Sequence, residues 1–167
     1  THNQRKRVYV LSIREVEEIF DLKTAIEGSV ARWATERGKE EDFTELRILQ
    51  EEIKLFLSAR AADPQDEEAW LQKWLDLDRT LHAHLFKMAE NHRSEGVIKN
   101  LNVQWHRLKV GILAMEGRID RTVAEHQRFI EAILARDPDA AETAMKEHLQ
   151  NLKRELVKLL KVYHYPV

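Results

Sequence analysis

Residues 74–82 read Trp74-Leu75-Asp76-Leu77-Asp78-Arg79-Thr80-Leu81-His82. Apolar side chains return every three or four positions, so Trp70, Trp74, Leu77, Leu81, Leu85 and Met88 line one face of a helix expected from about Asp66 to Glu90. Asp78 stands four residues after Trp74 and three before Leu81, on the stripe that should face a core. His82 follows one turn later on the same side. A carboxylate turned into an apolar interior is costly unless it is paired or bound to a cation. The stretch thus combines a long amphipathic helix with a polar group in its buried stripe.

Helical periods continue on both sides. Ser12 and Glu15 form a capping box, and Val16, Ile19, Phe20, Ile26, Val30 and Trp33 follow as an inner stripe ending at Gly38. A second helix is expected from about Asp42 to Arg60, broken by Ala62-Asp63-Pro64. Asn91 is expected to end the third helix and Ser94 to cap a fourth that carries Val97, Ile98, Leu101, Trp105, Leu108 and Ile112. The chain turns around Gly117, Asp120 is expected to cap a fifth helix to Arg136, and Asp137-Pro138 opens a last one to about Tyr163. The expected fold is all-α: an antiparallel bundle of six or more helices with an internal metal or ligand pocket.

Composition agrees. The chain has 167 residues, 43% hydrophobic and 34% charged, which suits one domain with a sizeable core. Five Gly and three Pro are too few for the turns of an all-β fold. No stretch approaches the roughly 18 uncharged apolar residues of a membrane span. The absence of Cys excludes disulfides and thiol chemistry and suits a cytoplasmic home. A net charge of −2 gives the body of the domain no reason to bind nucleic acid.

Eight histidines are the unusual feature. His126 falls between Val123 and Ile130, and His148 between Met145 and Leu152, each on a stripe that should be apolar. With Asp78 and His82 they form a candidate set of one carboxylate and three imidazoles drawn from three helices. Such a set suits Zn²⁺, Ni²⁺, Mn²⁺ or Fe²⁺, with Zn²⁺ the leading expectation, and leaves open coordination positions. A lone inward histidine is more often a hydrogen-bonded core residue, and His84 and His106 share the same spacing. Helical spacing alone does not select the set.

Three segments resemble the C-terminal domain of the FadR branch of the GntR family of transcription regulators. These are Phe20-Asp21-Leu22-Lys23-Thr24-Ala25-Ile26-Glu27 with Ala31 and Ala34; Asp78-Arg79-Thr80-Leu81-His82 with Met88-Ala89-Glu90-Asn91; and Glu125-His126 through Ile130, Ala132, Ile133 and Asp137 to Ala141, Ala144, Met145 and His148-Leu149. The resemblance spans about Ser12 to Leu160. It implies a metal held by Asp78, His82, His126 and His148, the set chosen above on physical grounds. Lys23 stands where the family usually has Arg, and Leu81 replaces a Phe. Lys23 keeps the charge but loses the planar two-pronged grip on a carboxylate.

What the resemblance implies is a sensor rather than an enzyme: a ligand-sensing and dimerisation domain that binds a small organic acid at a divalent metal and so controls DNA binding. Lys23 and Arg107 are the candidate ligand-binding cations. A homodimer is expected, with operator DNA reached only through a missing N-terminal winged helix-turn-helix domain and no membrane partner. Residues 1–11, with the basic, β-prone run Arg5 to Val10, read as the remnant of that domain's wing and linker, and 12–167 as the helical domain. The alternatives are a helical-bundle metalloenzyme and a purely structural dimerisation bundle. Against the first, the chain lacks the repeated Glu-x-x-His pairs of di-iron bundles, and Glu125 is expected on a different helix face from His126.

Overall fold

A computed structural model describes residues 11–115, 117–164 and 166. The basic run expected as a wing remnant lies outside the described residues. Six helices follow one another: α1 (Ile13–Arg37), α2 (Glu40–Ala62), α3 (Glu67–Ala89), α4 (His92–Leu113), α5 (Arg118–Leu134) and α6 (Pro138–Val162). Turns of two to four residues join them. The all-α bundle read from periodicity is the fold observed.

Local chemistry sets most of the helix ends. The Ser12 hydroxyl accepts from the Glu15 amide at 3.2 Å, and the Ser12 amide donates to the Glu15 carboxylate at 2.8 Å, which closes the expected capping box. Asp137 accepts from the Ala140 amide at 2.9 Å, with Pro138 in the first helical turn. Asn91, not Ser94, caps α4: its side chain accepts from the Ser94 amide at 3.1 Å, so Ser94 lies inside the first turn. Gly117, with φ of 70°, caps α5 in place of the expected Asp120. The left-handed backbone there suits glycine, and Asp120 pairs instead with Arg60 at 2.7 Å. Gly38 ends α1 for a steric reason, since its φ is −56° and an added Cβ would come within 2.9 Å of Ala34, Phe43 and Met88.

Helix α1 is the hub, packing on α3, α4, α5 and above all α6. Its buried stripe departs from the expected one. Ile26 and Trp33 lie at the edges, and Glu27 takes an inner position beside Lys23, Ile19, Phe20 and Val30. Val97, expected inside α4, is exposed. The rest of the core is apolar and aromatic, with Phe20 meeting the Trp105 ring edge-on at 4.9 Å and Trp74 and Phe129 fully buried. Among the described residues no helix is long and apolar enough to cross a membrane.

Candidate metal centre and cavity

The helix period carries His82, His126 and His148 inward from α3, α5 and α6, and the packing of those helices brings them together. One ligand atom from each lies within 4.8 Å of the others, the cluster of this kind found among the described residues. Nitrogen atoms bound to one ion at about 2.0–2.1 Å stand roughly 3–4 Å apart, so the spacing fits a shared ion with little adjustment. Asp78 reaches the same point, with Oδ1 2.8 Å from His126 Nε2 and 3.5 Å from His82 Nε2. Of the four residues expected as metal ligands, the three histidines lie together and Asp78 joins them through His82 and His126.

Each ring is held from behind. His82 Nδ1 lies 3.0 Å from Glu27 Oε2, His126 Nδ1 donates to the Thr122 carbonyl at 2.7 Å, and His148 Nδ1 donates to Glu125 Oε2 at 2.8 Å. A carbonyl or carboxylate only accepts, so these contacts place a proton on every Nδ1. In the neutral tautomers Nε2 then carries a lone pair. The Nε2 atoms of His82 and His126 stand 3.4 Å apart, and His126 Nε2 faces a carboxylate oxygen. Acceptors converge on acceptors, an arrangement that needs an added proton or a cation between them.

The charges around this point are matched in pairs. Lys23 is only 3% exposed and donates to Glu27 Oε1 at 2.5 Å and to Asn102 Oδ1 at 2.7 Å, with its ammonium over the Trp105 ring. It does not snorkel to solvent. Lys109 reaches from α4 to Asp78 Oδ2 at 2.5 Å. Burial pushes the Asp78 and Glu27 carboxyls up, but the ammonium groups of Lys109 and Lys23 and the adjacent imidazoles outweigh it and hold both below the usual carboxylate range. Burial, with the neighbouring His126, takes the His148 imidazole down to about 4 against the pull of Glu125. A neutral imidazole is the form that ligates a metal. Glu125 is also held low: burial raises it, and its bond from His148 and the charge of Arg118 more than offset that.

The cluster forms the buried end of a cavity of about 530 Å³ between α1, α3, α4, α5 and α6, within the range of small-molecule sites. Lys23, Lys109, Asn102 and Trp105 line it. Arg107, the other expected ligand-binding cation, is exposed and is not among the lining residues. The α4 cation that reaches Asp78 is Lys109, two positions on, because two residues rotate a helix face by about 200°. Glu125 also departs from expectation. It does lie off the His126 face, but that direction leads to His148 rather than away from the cluster. His84 is the satisfied core histidine that spacing could not separate from the ligands: Nε2 donates to the Asp42 carbonyl at 2.8 Å.

Residues 18–151 match the FCD domain family. Among curated relatives, the Glc operon transcriptional activator of Escherichia coli is 24% identical over 155 residues, covering 86% of this chain and 56% of that protein. The HTH-type transcriptional regulator LutR of Bacillus subtilis is 26% identical over 139 residues, covering 83% and 61%. The Galactonate operon transcriptional repressor of Escherichia coli is 24% identical over 151 residues, covering 87% and 59%. The chain thus spans little more than half the length of these relatives. Two solved structures share the fold: Streptococcus agalactiae GntR, with a TM-score of 0.61, 23% identity and 84% of this chain covered against 58% of that one, and E. coli McbR/YncC, with 0.66, 18%, 87% and 66%. The family and these relatives are those of transcription regulators, not of enzymes. The chain belongs to the FCD domain family, the C-terminal domain of the GntR-type regulators that its motifs resemble.

Proposed function

We propose that this domain senses a small organic acid at a divalent metal ion, with Zn²⁺ first among the candidates, and thereby controls DNA binding by a winged helix-turn-helix domain joined ahead of α1. One observation carries the reading: three imidazoles, each anchored through Nδ1, bring a ligand atom each within 4.8 Å of one another, and two of them face a buried carboxylate oxygen. Anchoring of Nδ1 by a carboxylate or carbonyl is the usual support for a metal-bound histidine. Asp78, His82, His126 and His148 would hold the ion. A divalent ion there supplies positive charge at the closed end of the cavity. Lys23 would add a second cation, and Lys109 would be free for a ligand if Asp78 turned to the ion.

The acid shifts the domain between states only by its difference in affinity for them. Helix α1 contributes both Lys23 and Glu27 to the site and would carry the change towards the DNA-binding half. A homodimer completes the reading, with operator DNA contacted only through that half.

The test is metal analysis of protein purified without added metal, followed by calorimetric titration with small mono- and dicarboxylates before and after chelation. One ion per chain and loss of acid binding on chelation are expected. Chelated protein that bound its acid with undiminished affinity would overturn the mechanism.

A further inference from the structure

Resting on the reading of this cavity as an acid site, we infer that the acid it takes has an apolar body rather than a hydroxylated one. Beyond the metal cluster the lining is set by Leu71 and Leu75 of α3, Ile98 and Val110 of α4, and Leu149 and Leu152 of α6. These six side chains come from three helices, so a ligand extending from the cluster meets hydrocarbon on more than one side. Around the cluster the carboxylates are already paired, while the Trp74 indole N–H is a buried donor with no hydrogen-bond partner. Glu27 and Asp78 pair with the two lysines and with imidazoles, and the Asn102 carbonyl accepts from both Lys23 and Trp105. Other polar lining residues, Gln72, Lys99 and His106 among them, are exposed.

This distribution separates two chemistries. A carboxylate has partners here, because each ammonium carries three N–H donors, of which Lys23 gives two to Glu27 and Asn102 and Lys109 gives one to Asp78. A run of hydroxyls along the body of the acid does not. Each hydroxyl that loses water and finds no partner weakens binding roughly tenfold, whereas each methylene moved from water onto these leucines strengthens it about fourfold. Compounded over several carbons, the two effects make the cavity discriminate by the body of the acid more than by its head.

The experiment uses the zinc-loaded chain and two six-carbon monocarboxylates, hexanoate and gluconate, with butanoate and octanoate to read the dependence on chain length. Hexanoate is expected to bind at least 100-fold more tightly than gluconate, and affinity to rise about fourfold per methylene until the cavity is filled. Leu71→Asn and Leu75→Asn, at half-buried positions where folding tolerates the change, should flatten the chain-length slope while zinc content stays at the wild-type level. Gluconate binding as tightly as hexanoate, or no hexanoate binding to zinc-loaded protein at millimolar concentration, overturns the inference. If the wild-type chain takes up no zinc, the metal reading falls by itself, and the same series on metal-free protein still reads the preference between apolar and hydroxylated bodies.

Discussion

His84 and His148 are buried to the same degree, at 7% and 4% exposure, and each sits on a helix stripe with apolar neighbours. What differs is the surroundings of the ring. In His84 the nitrogens face the Asp42 carbonyl at 2.8 Å and the Glu45 carboxylate at 3.3 Å, so the ring joins α3 to α2. In His148 Nδ1 is spent on Glu125, and the ring meets His126 at a centroid distance of 4.4 Å, inside a cluster of three imidazoles. A buried histidine is therefore read by the groups that its ring meets, not by its burial.

The largest expected effect breaks this contrast directly. His126→Ala or His148→Ala should take zinc content below one ion per chain and lower metal affinity by more than the 10- to 100-fold typical of losing an outer partner. His84→Ala should keep one ion per chain and cost only stability, about 1–3 kcal/mol for the acceptors left behind. Metal analysis and denaturant unfolding on the three variants measure both. Loss of zinc from His84→Ala would show that burial alone mattered.

Next in size is the support behind the ring. Glu125→Gln keeps the shape but removes the charge that holds the His148 Nδ1 proton, and Arg118, fully buried beside it, loses its ion pair at 3.5 Å. Zinc affinity should fall about 10- to 100-fold, read by competition with a chelator of known affinity. Unchanged affinity would reduce Glu125 to a packing residue.

Acidification should expose the burial of His148 through stability. His148 is held down to about 4 in the fold and titrates near 6.5 when unfolded, so the unfolded chain binds the extra proton between those values. The stabilisation is full above 6.5 and is lost as pH falls towards 4, at about 1.4 kcal/mol for each pH unit crossed. Glu27, Asp78 and Glu125, held low, lose their contribution further down, as pH falls through and below the ordinary carboxylate range. Melting temperatures of chelated protein should drop across pH 6.5 to 4, less steeply in His148→Leu than in the wild type. A flat profile in the wild type would contradict the assignment.

The smallest effects concern the two cations expected to bind the acid. Lys23→Ala should leave zinc content unchanged and weaken an organic acid about tenfold, the loss of one charge-assisted contact of about 1.5 kcal/mol. Arg107→Ala should change neither, since its side chain lies outside the cavity. Calorimetry on both variants decides between them.

Much of this was legible before the structure. The helix order, the capping box at Ser12, the Asp137-Pro138 entry to α6 and the inward placement of Asp78, His126 and His148 all follow from interactions between residues three or four apart. Where reading failed, the deciding partner was distant. Arg107 was a reasonable ligand-binding cation until the packing of α4 on α3 set Lys109 against Asp78 instead. Asp120 was a reasonable cap until Gly117 took that role and Arg60 took the carboxylate.

The amino-acid sequence by itself determined the six helices and the polar residues on their buried stripes, because a helix records its own faces with a period of 3.6 residues. Only the tertiary structure decided which of those residues meet: Asp78 and His126 are 48 positions apart, and Lys109 rather than Arg107 closes on Asp78 across 31. The reason is geometric. Periodicity states the direction of a side chain about its own helix axis, whereas a shared site depends on how several axes are packed against one another, and short turns leave that to the core.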